Sequence, residues 1–338
     1  MYRIILALLV LSVAFAQSGY HQIKKITIGG EGGWDYLIAD AGRVYVSHTN
    51  EVDVVDSIKG EVAGKITGLH GVHGIALVPE FNRGYISNGQ SNTVTIFDLK
   101  TLAKIGDDVP AGKNPDAIMY DPASKRVFAF NGRSNDATAI NAKDGTVAGT
   151  IALEGKPEFA AADGKGHVYV NIEDKSAVYD IDAKTLTVSH KWPLAPCEEP
   201  SGMAMNPKTR RIFSGCGNKM MAVTDADSGK VVATPAICNG IDATAFDPAL
   251  GWVFHSCGEG IMTVIKEDSP DKYTLVENVK TQQSARTMAL DTKTHNVFLS
   301  IAEFEAAAPT APATDGKTPP RPRRRIVPGS FAILEFGK

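Results

Sequence analysis

The sequence is short of the residues that mark the simplest functional classes. Only 4 cysteines and 3 tryptophans occur in 338 residues, and aromatic side chains make up 7%. Four cysteines are too few for a disulfide-dense miniature scaffold, and no C-x-x-C-H stretch occurs, so covalent haem attachment is excluded. Neither sign of charge prevails: 35 basic against 38 acidic residues leave a net charge of −3, which offers no global field for nucleic acid. Also missing are the G-x-S-x-G elbow, the H-E-x-x-H zinc helix and the G-x-x-x-x-G-K-[ST] phosphate loop. Helical periodicity is lacking along the whole chain. Apart from one segment at the N-terminus, no apolar run approaches the roughly 20 residues that cross a bilayer.

That one segment reads Met1-Tyr2-Arg3, then apolar residues from Ile4, and ends Ala14-Phe15-Ala16. A basic start, an apolar run of roughly 7–15 residues and a small-x-small end describe a secretory signal peptide. Residues 1–16 are therefore expected to be removed, leaving a protein exported to the periplasm or the extracellular space, with no membrane span.

What is plentiful is repetition. A β-branched or small residue followed by an aromatic recurs at Val44-Tyr45, Gly84-Tyr85, Val127-Phe128, Val168-Tyr169, Ile212-Phe213, Val253-Phe254 and Val297-Phe298, with spacings of 40, 43, 41, 44, 41 and 44 residues. A period in the low forties built from short strands is the mark of a β-propeller, and seven aromatics mean seven blades. Each repeat has the same grammar. A corner such as Asp121-Pro122 or Asn206-Pro207 precedes the aromatic strand; a third strand, a second corner such as Asp225-Ala226-Asp227-Ser228-Gly229, and a fourth strand follow. Asp and Asn cap their own turns and Pro presets φ, so these are hairpin corners between antiparallel strands. The last repeat stops after its third strand, while His21–Ile28 precedes the first repeat without a blade of its own. The fold expected over 17–338 is all-β: one seven-bladed propeller of four-stranded antiparallel blades, the last closed by the N-terminal strand.

The stretches Val44-Tyr45-Val46-Ser47 and Gly84-Tyr85-Ile86-Ser87, with the Asp-Pro corners, resemble the YVTN-type repeat family and its YncE-like seven-bladed propellers. The resemblance runs through all seven repeats and implies an exported propeller of a group often labelled lactonase. The Asp225–Lys230 turn is also similar to quinoprotein propellers. Trp34, Trp192 and Trp252 do not follow their blade-terminal tryptophan pattern, so pyrroloquinoline quinone is not expected.

Placing the seven repeats in register brings one position of each first strand to the channel mouth: Asp35, His73, Asp116, Glu158, Ser201, Asp242 and Arg286. A slip of one residue would turn these side chains away. Flanking loops add His48, His70, Asn88, Asn131, Arg133 and Glu173. Clustered carboxylates raise one another's pKa or recruit a cation, and His73 beside Asp35 or Asp116 could hold a divalent metal, either Ca²⁺ or Mg²⁺ or a transition metal. The reading is a binding module for a small molecule, a metal or a protein partner at the loop face, expected to be a monomer. Its alternatives are a metal-assisted hydrolase or lyase of a lactone or sugar acid, a partner-interaction scaffold, and a charge-compensated ring in which Arg286 balances Asp242 and Asp35. The acidic mouth has no basic, aromatic-lined groove, so nucleic acid is not expected.

Two features stand outside the repeat. Residues 302–328 form an Ala/Pro-rich insertion ending in Arg321-Pro322-Arg323-Arg324-Arg325, between the second and third strands of the last blade. It reads as a solvated loop or as a docking arm for an acidic partner. Shortening 305–325 to a brief Gly/Ser linker is expected to leave the thermal midpoint almost unchanged, because loop-closure cost varies slowly with length; a large drop would show that the segment packs. The cysteines share a 41-residue offset, with Cys197 and Cys238 before the mouth positions and Cys216 and Cys257 three residues past the aromatics. A register with Cys216 opposite Ser201 and Cys257 opposite Asp242 predicts Cys197–Cys216 and Cys238–Cys257, with Cys216–Cys238 as the rival.

Overall fold

The computed structural model describes residues 19–305 and 325–338; the N-terminal apolar segment and most of the 302–328 insertion, Arg321–Arg324 included, lie outside the described residues. Seven four-stranded antiparallel sheets follow one another along the chain. The first strands of the blades are Trp34–Asp40, Val72–Val78, Pro115–Asp121, Pro157–Ala162, Pro200–Asn206, Ile241–Asp247 and the short Met288–Leu290. Each packs on the first strand of the next blade, and the first and last blades complete the circuit, so these seven strands line the axis.

The repeat aromatics explain why blades stack. Tyr45, Tyr85, Phe128, Tyr169, Phe213, Phe254 and Phe298 are all buried, in clusters shared by two neighbouring blades. Seven such clusters fill the seven blade interfaces. A lone four-stranded blade would expose both faces; only the ring covers them all.

Closure is as expected. His21–Thr27 forms the outermost strand of the last blade, antiparallel to Ala332–Gly337, with Ile26 opposite Ile333 and Thr27 opposite Ala332. Ile26 then packs beside Phe331, Ile333 and Phe298 against Leu37 and Val44 of the first blade.

Both disulfides have the expected pairing, Cys197–Cys216 with a Cα separation of 5.5 Å and Cys238–Cys257 with 5.9 Å. The register beneath them differs by one residue from the expectation: Cys216 faces Pro200 and Cys257 faces Ile241. A bulge causes the difference. In blades one to six the first strand carries an extra residue near its start, and in every case Asp35, His73, Asp116, Glu158, Ser201 or Asp242 falls within the bulge.

Candidate functional site at the channel mouth

Those bulges build the mouth. A bulged residue drops out of the strand ladder and its side chain is re-aimed, here from six consecutive blades. Buried polar side chains two residues past the aromatics hold the irregular backbone in place. Ser47 Oγ accepts from the Asp35 amide at 3.1 Å and donates to the Tyr36 carbonyl at 3.1 Å. Ser87 Oγ donates to the Asp116 carbonyl at 2.5 Å, Asn171 to the Ser201 carbonyl at 2.8 Å, and Ser256 to the Arg286 carbonyl. In these last three cases one blade fixes the mouth residue of the next.

The result is a cavity of about 400 Å³ whose lining includes Asp35, Asp116, Glu158, Ser201, Asp242 and Arg286. His73 is not among the lining residues but touches two of them, its Nδ1 2.6 Å from Asp35 and 3.7 Å from Asp116. Arg286 bonds Asp242 at 2.8 Å and reaches Asp35 at 3.7 Å across the ring closure. Of the six loop residues, Glu173 alone joins the cavity, through an ion pair with Lys156. His48, Asn88 and Asn131 do not line it. They end the second strands three residues past the aromatic, the position that Cys216 and Cys257 occupy, and are turned into their blades: His48 onto Asp53, Asn88 onto Thr95, Asn131 onto Thr138. His70 and Arg133 are exposed outside the cavity.

Five lining residues lie outside the set expected from the sequence: Tyr36, Lys156, Glu199, Gly217 and Ile241. Lys156 is 2.7 Å from Glu158. Tyr36 had a signal, because the position after the mouth residue reads Tyr36, Gly74, Ala117, Phe159, Gly202, Ala243, Thr287 around the ring. Two aromatics stand out there among small residues, and Tyr36 and Phe159 lie 4.6 Å apart between ring centroids.

Burial governs the charges. Asp116 is pushed up to about 6, chiefly by burial and further by Asp35 and Asp242, against the opposing pull of His73. Glu158 rises to about 7, again through burial, although Lys156 opposes it. Asp242 is raised by burial despite Arg286. For His73 burial works downward, but the hydrogen bond to Asp35 and the fields of Asp116 and Glu158 prevail and its pKa is raised. Tyr36, buried and facing Asp116, Glu158, Asp35 and Asp242, is raised well above the ordinary tyrosine value and keeps its proton.

These shifts give a signed prediction. A carboxyl whose folded pKa exceeds its unfolded value makes the native state less stable as pH rises between the two; His73 acts in the same sense, its stabilisation fading as pH climbs through its raised pKa. Asp116→Asn is therefore expected to stabilise the fold by about 1–2 kcal/mol at pH 8 and to change little at pH 4. Thermal melts across that range check it; destabilisation at pH 8 would show that Asp116 is better solvated than its burial implies.

Comparison with known proteins gives the fold and little more. No family model matches the chain. A segment of 66 residues is 38% identical to Antigen Lp49 of Leptospira interrogans serogroup Icterohaemorrhagiae serovar copenhageni (strain Fiocruz L1-130), covering 20% of this chain and 14% of the antigen's length. Among solved structures, a chain of hydrazine synthase from Kuenenia stuttgartiensis superposes with a TM-score of 0.70 over 83% of this chain and 95% of that one, at 16% identity. At that identity the likeness concerns the propeller fold alone.

Proposed function

We propose that the protein is an exported binding module of the YVTN/YncE-like kind that takes a small cationic ligand or a divalent metal ion at the channel mouth. One observation carries the reading: four innermost strands each deliver a carboxylate to one cavity of about 400 Å³, where burial holds Asp116 and Glu158 near 6 and 7. Their full ionisation is unfavourable until a cation enters, so a cation and the ionised site stabilise one another. Donor atoms of Asp35, His73 and Asp116 lie within 4.8 Å of one another, and this mixed imidazole and carboxylate set suits a transition metal better than Ca²⁺ or Mg²⁺. The N-terminal segment and the two disulfides support an oxidising compartment outside the cytoplasm.

Titration calorimetry with Mn²⁺, Zn²⁺, Ca²⁺ and Mg²⁺ tests it. Saturable binding is expected at pH 8 and should weaken at least tenfold at pH 5.5, where His73 and Asp116 take up protons. His73→Ala with Asp116→Asn should abolish it while the melt stays cooperative. Affinity retained in the double variant, or no binding of any of the four ions, would leave a solvated structural ring.

A second reading, a lactone-directed hydrolase or lyase, draws on Glu158, which can hold or release a proton near neutrality beside Lys156. Turnover of small lactones that falls at least a hundredfold in Glu158→Gln would favour it over binding alone.

A further inference from the structure

At the end of the ring that carries the first-to-second-strand corners lies another cavity, of about 390 Å³, between blades three and four. Its lining is Ala123, Ser124, Arg126, Lys165, Gly166 and Lys184, three of them cationic and none acidic. The corner that opens it is Asp163-Gly164-Lys165-Gly166. Both glycines have positive φ, +69° and +105°, and space lies open where their side chains would begin. The corner thus presents Lys165 and leaves the room beside it clear.

Arg126 is already oriented. Its guanidinium donates to the carbonyls of Ala183 at 2.5 Å and Lys184 at 3.0 Å, crossing from blade three to the outer corner of blade four. Other blades use the same tie: Arg43 donates to the Leu99 carbonyl and Arg211 to that of Pro270. Arg211, however, is neutralised by Asp225 at 2.7 Å and Asp271 at 2.9 Å. At Arg126 no carboxylate plays that part among the described residues. The nearby aspartates are committed elsewhere: Asp121 accepts from the Ala123 and Ser124 amides, Asp182 from those of Lys184 and Thr185, and Asp163 from the Lys165 amide and Arg210. Ser124 Oγ is buried and has no hydrogen-bond partner. A fixed guanidinium and two exposed ammonium groups around one acid-free cavity, with an unpartnered hydroxyl beneath its wall, are an inventory that suits a tetrahedral oxyanion.

We propose that this cavity is an anion site, separate from the acidic mouth, that takes a phosphate or sulfate group, free or as a monoester. Arg126 supplies the directed donors, while Lys165 and Lys184 supply charge. The two ends of the propeller are then specialised for ligands of opposite sign.

Isothermal titration of inorganic phosphate, of sulfate and of a simple phosphate monoester into the full chain at low salt tests this. Saturable binding of at least one is expected, weakening at higher salt. Lys165→Gln with Lys184→Gln leaves the Arg126 tie intact and should lower affinity at least tenfold with an unchanged melt. His73→Ala with Asp116→Asn at the mouth should bind the anion as the wild type does. No saturable binding at low salt, or equal affinity in the double lysine variant, would overturn the proposal.

Discussion

Deletion of residues 17–30 is expected to remove most of the stability of the ring. The deletion takes away the outermost strand of the last blade, His21–Thr27, and with it the pairing to Ala332–Gly337. It also removes the Ile28 and Gly29 amides that donate to the Phe331 carbonyl. Two buried side chains go as well: Ile26, 1% exposed in the cluster joining blades seven and one, and Tyr20, 4% exposed in the cluster joining blades six and seven. Each is worth about 2–3 kcal/mol of burial, and the stripped edge would be left with unpaired backbone groups. A loss of about 5 kcal/mol or more is the expectation, against total stabilities of about 5–15 kcal/mol for ordinary domains. Urea and thermal melts of the truncated chain decide it. An unchanged midpoint would mean that the ring holds without its closing strand.

The second large effect belongs to the disulfides. Each bridge joins residues 19 positions apart, and closing a loop of that size stabilises by about 3 kcal/mol in the chain-entropy model. Replacing Cys197 and Cys216 by Ala, or Cys238 and Cys257, should each cost about that much, and both together about 6 kcal/mol if the two act independently. Both bridges border the mouth cavity: Glu199, Ser201 and Gly217 line it beside the first, and Ile241, which faces Cys257, and Asp242 line it beside the second. Removing either bridge should therefore also weaken ligand binding at the mouth. Losses below about 1 kcal/mol for either pair, read from urea melts, would contradict the expectation.

The fold was legible because its determinants are periodic. One buried aromatic per repeat reports the same packing event seven times, and a register averaged over seven copies absorbs local irregularity. The mouth was legible for the same reason up to the bulge, which displaced the partners of Cys216 and Cys257 by one residue. The bulge has no letter of its own; it is visible only as a mismatch between two strands. His48, Asn88 and Asn131 were misjudged as loop contacts because polar residues at strand ends look exposed in sequence. Their burial follows from a third strand whose Asp53, Thr95 and Thr138 receive them. Lys156 and Glu199 hold the same repeat position, two residues before the mouth residue, where the other blades carry Gly33, Gly71, Asn114, Gly240 and Ser284; two charged side chains in a column of small and polar ones were the signal for them.

The aromatic pair at the axis has a consequence for traffic through the molecule. Tyr36 borders both the acidic cavity and a separate apolar one of about 150 Å³ that also touches Phe159, Phe130 and Met119. The two rings, 4.6 Å apart, reach towards each other from blades one and four. A ligand admitted at the acidic end meets this pair before it can pass further down the axis. Trimming either ring, Tyr36→Ala or Phe159→Ala, is expected to join the polar and oily compartments.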